Sequence, residues 1–300
     1  MQDNIGIVKR DKTAIPFFSL PPRIRPDDVA EYKQNMESLF FQNTASIEDV
    51  AGNDWVKIIT GDPTMLREQA KTLVSLAQSN GGGVWPTILS GGSAPAYKKF
   101  SLEFIGAAAI EILKGTFDFD LKLPESFRLF NRAFGKGQTY LEFEKPSPEG
   151  FRRPVSRNRD GSLKCVLDMS STNTYENLEA AYKIMVEYNL NKPEEKKIAI
   201  FANCEAARAV ETFKTVVDKL APAGTAYEVK GVFVDPKKFK NWYGNLWLHS
   251  RLTSEYWRLV KYSSGDVAKP IKLHGSTQHY VNIIADLIEK GKKSKKGKGR

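Results

Sequence analysis

In the second half of the chain, apolar positions switch repeatedly between strand and helix spacing. Residues 139–143, Thr-Tyr-Leu-Glu-Phe, alternate as a strand does. Short apolar runs at 163–169, 197–202 and 227–234 are read as further strands. Between them, helices are expected at 175–188 and 205–220. In the second helix Ala206, Ala209, Val210, Phe213, Val216, Val217 and Leu220 share one face. Strands alternating with helices of this length predict an α/β layer, and right-handed crossovers make such a layer partly parallel. Helices at 236–262 and 277–290 are expected to close the chain.

The first half reads differently. Residues 13–26 hold four prolines and also Ile15, Phe17, Phe18, Leu20 and Ile24. Proline forbids helix here and favours an extended path, so this is an apolar arm that needs a surface to lie on. A helix is expected from Pro26 to about Phe41. A second follows Asp62-Pro63, with Leu66, Ala70, Leu73, Val74 and Ala77 as its stripe. Residues 81–95, with five glycines and two prolines, are expected to form a loop. Helices at 97–113 and 125–134 complete a mainly helical region. The expected class is therefore α+β or mixed: a helical N-terminal half, then an α/β layer with C-terminal helices. The expected organisation is an arm over 1–25, a helical region over 26–135, an α/β region over 136–289, and a basic tail over 290–300.

Charge adds the tail. Seven of the last eleven residues are basic and none is acidic: Lys290, Lys292, Lys293, Lys295, Lys296, Lys298 and Arg300. The net charge is +10, so subtracting these seven leaves +3 on residues 1–289. A flexible polycation binds polyanions with little geometric demand. No run of 18 apolar residues predicts a membrane span, and the N-terminus lacks an apolar signal region. Two cysteines, Cys165 and Cys204, make no disulfide framework. The expectation is a cytoplasmic protein, or a virion protein if viral, and not a secreted one.

Two segments interleave cations in a manner suited to single-stranded nucleic acid, where cations grip phosphates and aromatic faces stack under bases. One is the stretch 145–161, read as a loop, with Arg152, Arg153, Arg157 and Arg159. The other holds Lys237, Lys238, Lys240, Arg251 and Arg258 among Trp242, Tyr243, Trp247 and Trp257. Surface cations and core tryptophans would produce the same pattern. Neither CxxC nor HExxH occurs, and His274 and His279 are too poorly spaced to share a helix face, so no metal is expected. The glycine-rich stretches match neither phosphate-loop nor GxGxxG spacing, so no cofactor is expected.

The leading expectation is a self-assembling nucleic-acid-binding protein of the nucleocapsid or coat type. RNA is its favoured partner, and Ile15, Phe17, Phe18 and Leu20 link copies into a homo-oligomer. The alternative is an intracellular α/β enzyme with its site at strand ends, on Asp168, Cys204 and Asp235, where such sites lie. A ribosome- or chromatin-associated factor is a third reading.

Overall fold

Residues 55–60, Trp-Val-Lys-Ile-Ile-Thr, are buried on both sides and form the strand at the centre of the molecule. The computed structural model describes residues 44–52, 54–61, 66–79, 86–92, 123–135, 141–190, 196–202 and 206–233, with short pieces between 255 and 286. In chain order the strands are β1 (Thr44–Ala45), β2 (Trp55–Thr60), β3 (Thr87–Ser90), β4 (Glu142–Glu144), β5 (Arg153–Arg157), β6 (Leu163–Asp168), β7 (Lys196–Ala202) and β8 (Tyr227–Phe233). The helices are α1 (Leu66–Ser79), α2 (Glu125–Phe134), α3 (Thr174–Glu187) and α4 (Ala206–Leu220).

The eight strands form one mixed sheet in the order β1-β8-β7-β2-β3-β6-β5-β4. From β1 to β6 every pairing is parallel, and β5 and β4 add antiparallel at one edge. The pleat divides the strand residues between two cores. Val56, Ile58, Ile88, Val166, Ile198 and Ile200 pack with α3 and α4. Trp55, Ile59, Leu89, Leu167, Ala199 and Phe201 pack with α1 and α2. Helices therefore cover both faces, as a parallel sheet requires.

The α/β layer expected for 163–234 is present, with each element within a few residues of its expected bounds. Local chemistry explains one helix well. Asn173 caps α3, its side chain accepting from Glu176 N at 3.0 Å, while Glu176 Oε2 accepts from Thr172 N at 2.9 Å. Asn189, at φ 49°, ends the helix in the left-handed conformation that asparagine tolerates.

Three corrections follow. The N-terminal half supplies β2 and β3, two of the most central strands, so the sheet takes strands from both sides of the boundary expected at 135–137. The stretch 81–95 is not all loop, because Thr87–Ser90 is β3. Nor is 145–161, because Arg153–Arg157 is β5, hydrogen-bonded between β4 and β6. The expected arm, the helices at 26–41 and 97–113, and the tail lie outside the described residues. No helix among the described residues is long and apolar enough to cross a membrane.

Lys57 is buried inside this sheet, its Nζ donating to Gly52 O at 2.8 Å and Trp55 O at 3.3 Å. Burial pulls its pKa down to about 8, with Asp54 pulling weakly the other way. Between pH 8 and the unfolded chain's ordinary lysine value, the unfolded state holds more protons than the folded one. Stability therefore gains from this group as pH rises across that window. Cys165 and Tyr188, both pushed up to about 12 by burial, act in the opposite direction. The difference between wild type and Lys57→Met isolates the lysine. The melting temperature of wild type should rise relative to the variant's between pH 8 and 10, and a constant difference would contradict the burial argument.

Candidate functional site

The strand order reverses at β2. From there the chain passes through β3 to the far edge at β4, comes back through β5 to β6, and then crosses to the other side of β2 to form β7 and β8. In such sheets the carboxyl ends of the two strands flanking the reversal open a crevice. Here those ends are Thr60-Gly61 and Phe201-Ala202.

The same edge is where the apolar strands turn polar. Thr60 pairs in register with Ser90, and Ser90 with Asp168, so three buried polar side chains stand in a row on the α3 face. Ser90 Oγ donates to Asp168 Oδ2 at 2.8 Å and lies 3.0 Å from the main-chain oxygen of Asn177 in α3. Asp168 Oδ1 accepts from Ser170 N at 3.1 Å and Ser170 Oγ at 2.8 Å. Asp168 thus organises the loop that follows β6. Thr60 Oγ1 and Asn177 Oδ1 are buried with no hydrogen-bond partner among the described residues. Buried polar atoms are rarely left so.

On the opposite face α2 begins against the same edge. Glu125 N donates to Gly92 O at 3.3 Å, Ser126 N to Gly91 O at 2.9 Å, and Ser126 Oγ to Asp168 O at 2.7 Å. The Glu125 carboxyl lies over Gly61 and Gly91. A Cβ on Gly61 would fall 2.7 Å from Glu125 Oε2, and one on Gly91 3.1 Å from it. Glycine is required here by the close approach of that carboxyl. A phosphate-binding turn also uses glycine after the first strand, but there the backbone N–H groups face an anion. A buried carboxyl in that place opposes an anion and suits a neutral or cationic group.

Of the strand-end residues expected for an enzyme, Asp168 lies in this row, while Cys204 and Asp235 fall outside the described residues. Sequence reasoning missed Glu125, Asn177, Thr60 and Ser90. The only local signal was the apolar Thr-Ile-Leu run passing directly into Ser-Gly-Gly.

Five of the expected nucleic-acid cations lie among the described residues. Arg152 and Arg159 are exposed. Arg153 was expected on an exposed loop but is buried in β5, with its Nε 2.9 Å from Glu187 Oε2. Arg157 pairs with Glu144 at 2.5 Å, and Arg258 pairs with Glu255. Lys237, Lys238, Lys240, Arg251, Lys292, Lys293, Lys295, Lys296, Lys298 and Arg300 lie outside the described residues, as do Ile15, Phe17, Phe18 and Leu20. No cluster of three or more His, Cys, Asp or Glu able to hold a metal occurs among the described residues.

Strand order and helix placement define an α/β protein of the doubly wound class, with the carboxyl edge of the sheet as its candidate site. No protein-family model, curated protein or solved structure matches the chain.

Proposed function

We propose that the chain binds a small polar ligand, neutral or cationic, at the carboxyl edge of its sheet over β2, β3 and β6. The observation that carries this reading is the concentration of buried polar groups at that one edge. Asp168 and Ser90 stand on the α3 face, Glu125 stands on the α2 face, and the side-chain oxygens of Thr60 and Asn177 have no partner among the described residues. In this reading Glu125 meets the ligand, and Asp168 is a positioning residue that holds Ser90 and the 169–171 loop. A thermal-shift screen of amines, polyols and nucleosides tests it. A ligand at a hundred times its Kd stabilises by about 2.7 kcal/mol, a shift of several degrees. Glu125→Gln keeps the side chain's size and should reduce that shift. A library that moves no melting temperature, or a variant that responds as wild type does, would count against the proposal.

A second reading keeps the expected nucleic-acid binding and self-assembly, and the observations favouring it are separate. They are the seven terminal cations and the sheet edge carrying Phe143 and Phe151, both exposed. Guanidinium carbons of Arg152 and Arg153 lie 5.8 Å from those two rings. Exposed aromatic faces beside arginine suit base stacking. The acids Glu142 and Glu149 on the same edge weaken the case for phosphate. This reading predicts nucleic acid co-purifying with large particles, and a clean small species contradicts it.

A further inference from the structure

The segment 270–283 is fastened along one stripe of α4, formed by Glu211, Thr215 and Asp218. Lys272 N donates to Thr215 Oγ1 at 2.9 Å, and His274 N donates to Glu211 Oε2 at 2.6 Å. Thr277 Oγ1 reaches Glu211 Oε1 at 3.4 Å. Ile271, Leu273 and Val281 add apolar contacts beneath the sheet's α3–α4 face. The imidazole of His274 lies between two carboxyls: Nδ1 is 3.0 Å from Glu211 Oε2, and Nε2 is 3.3 Å from Asp218 Oδ2.

A neutral imidazole carries one N–H and one lone pair. In this setting the lone pair of a neutral ring would face a carboxylate oxygen, whichever tautomer is present. Only the imidazolium donates to both. Glu211 is almost fully buried, so it also needs positive charge nearby. Lys214 Nζ, 3.4 Å from its Oε1, supplies part of that charge. On the outer side Lys272 Nζ lies 4.0 Å from Asp218 Oδ2, a distant and exposed contact. Among the described residues these are the charged groups facing the ring.

We propose that His274 is a pH-sensitive clasp, which in its doubly protonated form holds the C-terminal segment onto α4 and weakens that hold when it loses a proton. The sign follows from the geometry. Low pH gives two charge-assisted bonds, and high pH replaces one of them with a repulsion between lone pairs. The apolar contacts of Ile271, Leu273 and Val281 remain at any pH, so the change is a loosening and not a release.

The test uses the full chain labelled with ¹⁵N. Long-range proton–nitrogen spectra report the protonation of each imidazole nitrogen, and the chain has only three histidines. Hydrogen exchange, corrected for the intrinsic effect of pH, reports protection of amides 271–283. The expected result is that protection falls roughly tenfold over the same pH interval in which His274 loses its second ring proton. His274→Gln should remove this pH dependence while the amides of β6 and β7 keep theirs. Asp218→Asn, at an exposed position, removes one of the two carboxylate partners of the ring and should lower the protection seen at low pH. Protection that ignores the titration of His274, or a neutral ring in the fastened form, would overturn the proposal. So would a His274→Gln protein with the wild-type pH profile.

Discussion

Replacing Arg208 by Met should destabilise the protein by about 3 kcal/mol, the low end of the cost of breaking a buried ion pair by removing one partner. Arg208 and Glu255 are both buried, with Arg208 Nε 2.5 Å and Nη2 3.2 Å from the two carboxyl oxygens. Without the guanidinium, Glu255 still has the partly exposed Arg258 beside it. The low end is expected for that reason. The pair joins α4 to the C-terminal helical pieces, 47 residues apart, across an otherwise apolar core. Urea denaturation should show a lower midpoint with an unchanged slope. The double variant Arg208→Met, Glu255→Leu should recover most of the loss, because well-packed apolar side chains commonly replace a buried pair at little cost. A single variant as stable as wild type would show that the pair contributes nothing.

Gly92→Ala should be the most damaging small change at the candidate site. A Cβ there would lie 2.4 Å from Ser171 O and 2.9 Å from Met169 O, both main-chain atoms that cannot rotate away. Gly92 N also donates to Ser171 O at 2.8 Å, and Gly92 O accepts from Glu125 N. One methyl group therefore pushes apart the β3 and β6 ends and the start of α2. Overpacking of this kind costs about 1–3 kcal/mol, and the upper end is expected for a clash with backbone. Gly61→Ala meets the Cβ of Glu125 at 2.5 Å, an atom fixed to the backbone of α2, and its Oε2 at 2.7 Å. It should also destabilise, somewhat less because one fixed atom is met and not two, and it should displace the carboxyl assigned to the ligand. Gly161→Ala, at φ 80° with nothing within 4 Å, shows the cost of backbone strain without any clash. Melting temperatures of the three variants check this order.

These two sites differ in how much of them could be read from sequence. The elements from 163 to 233 were legible because α4 shows a clean helical stripe and its flanking strands are bounded by polar turns. Strands β2 and β3 were not, for a physical reason. A strand covered on both faces has no alternation to display, and Lys57 interrupts the apolar run of β2. The glycines on either side of β3 disguise it as loop. In β5, Arg153 and Pro154 look like surface residues, yet Arg153 is buried because Glu187 of α3 lies within reach. At the site, Asp168 was visible as an acid ending a strand. Glu125 and Asn177 were not, because their placement depends on contacts between segments 33 to 87 residues apart, which no local pattern carries.

On the proposal above, ligand binds at the carboxyl edge over β2, β3 and β6. Amide shift mapping on the ¹⁵N-labelled chain tests it most directly, using whichever amine, polyol or nucleoside raises the melting temperature. The amides of Gly61, Gly91, Gly92 and Ser171 should move together with added ligand, and those of β4 and the amino ends of β6 and β7 should stay in place. Shifts confined to the Phe143–Phe151 edge, or to the amino ends of the strands, would contradict it.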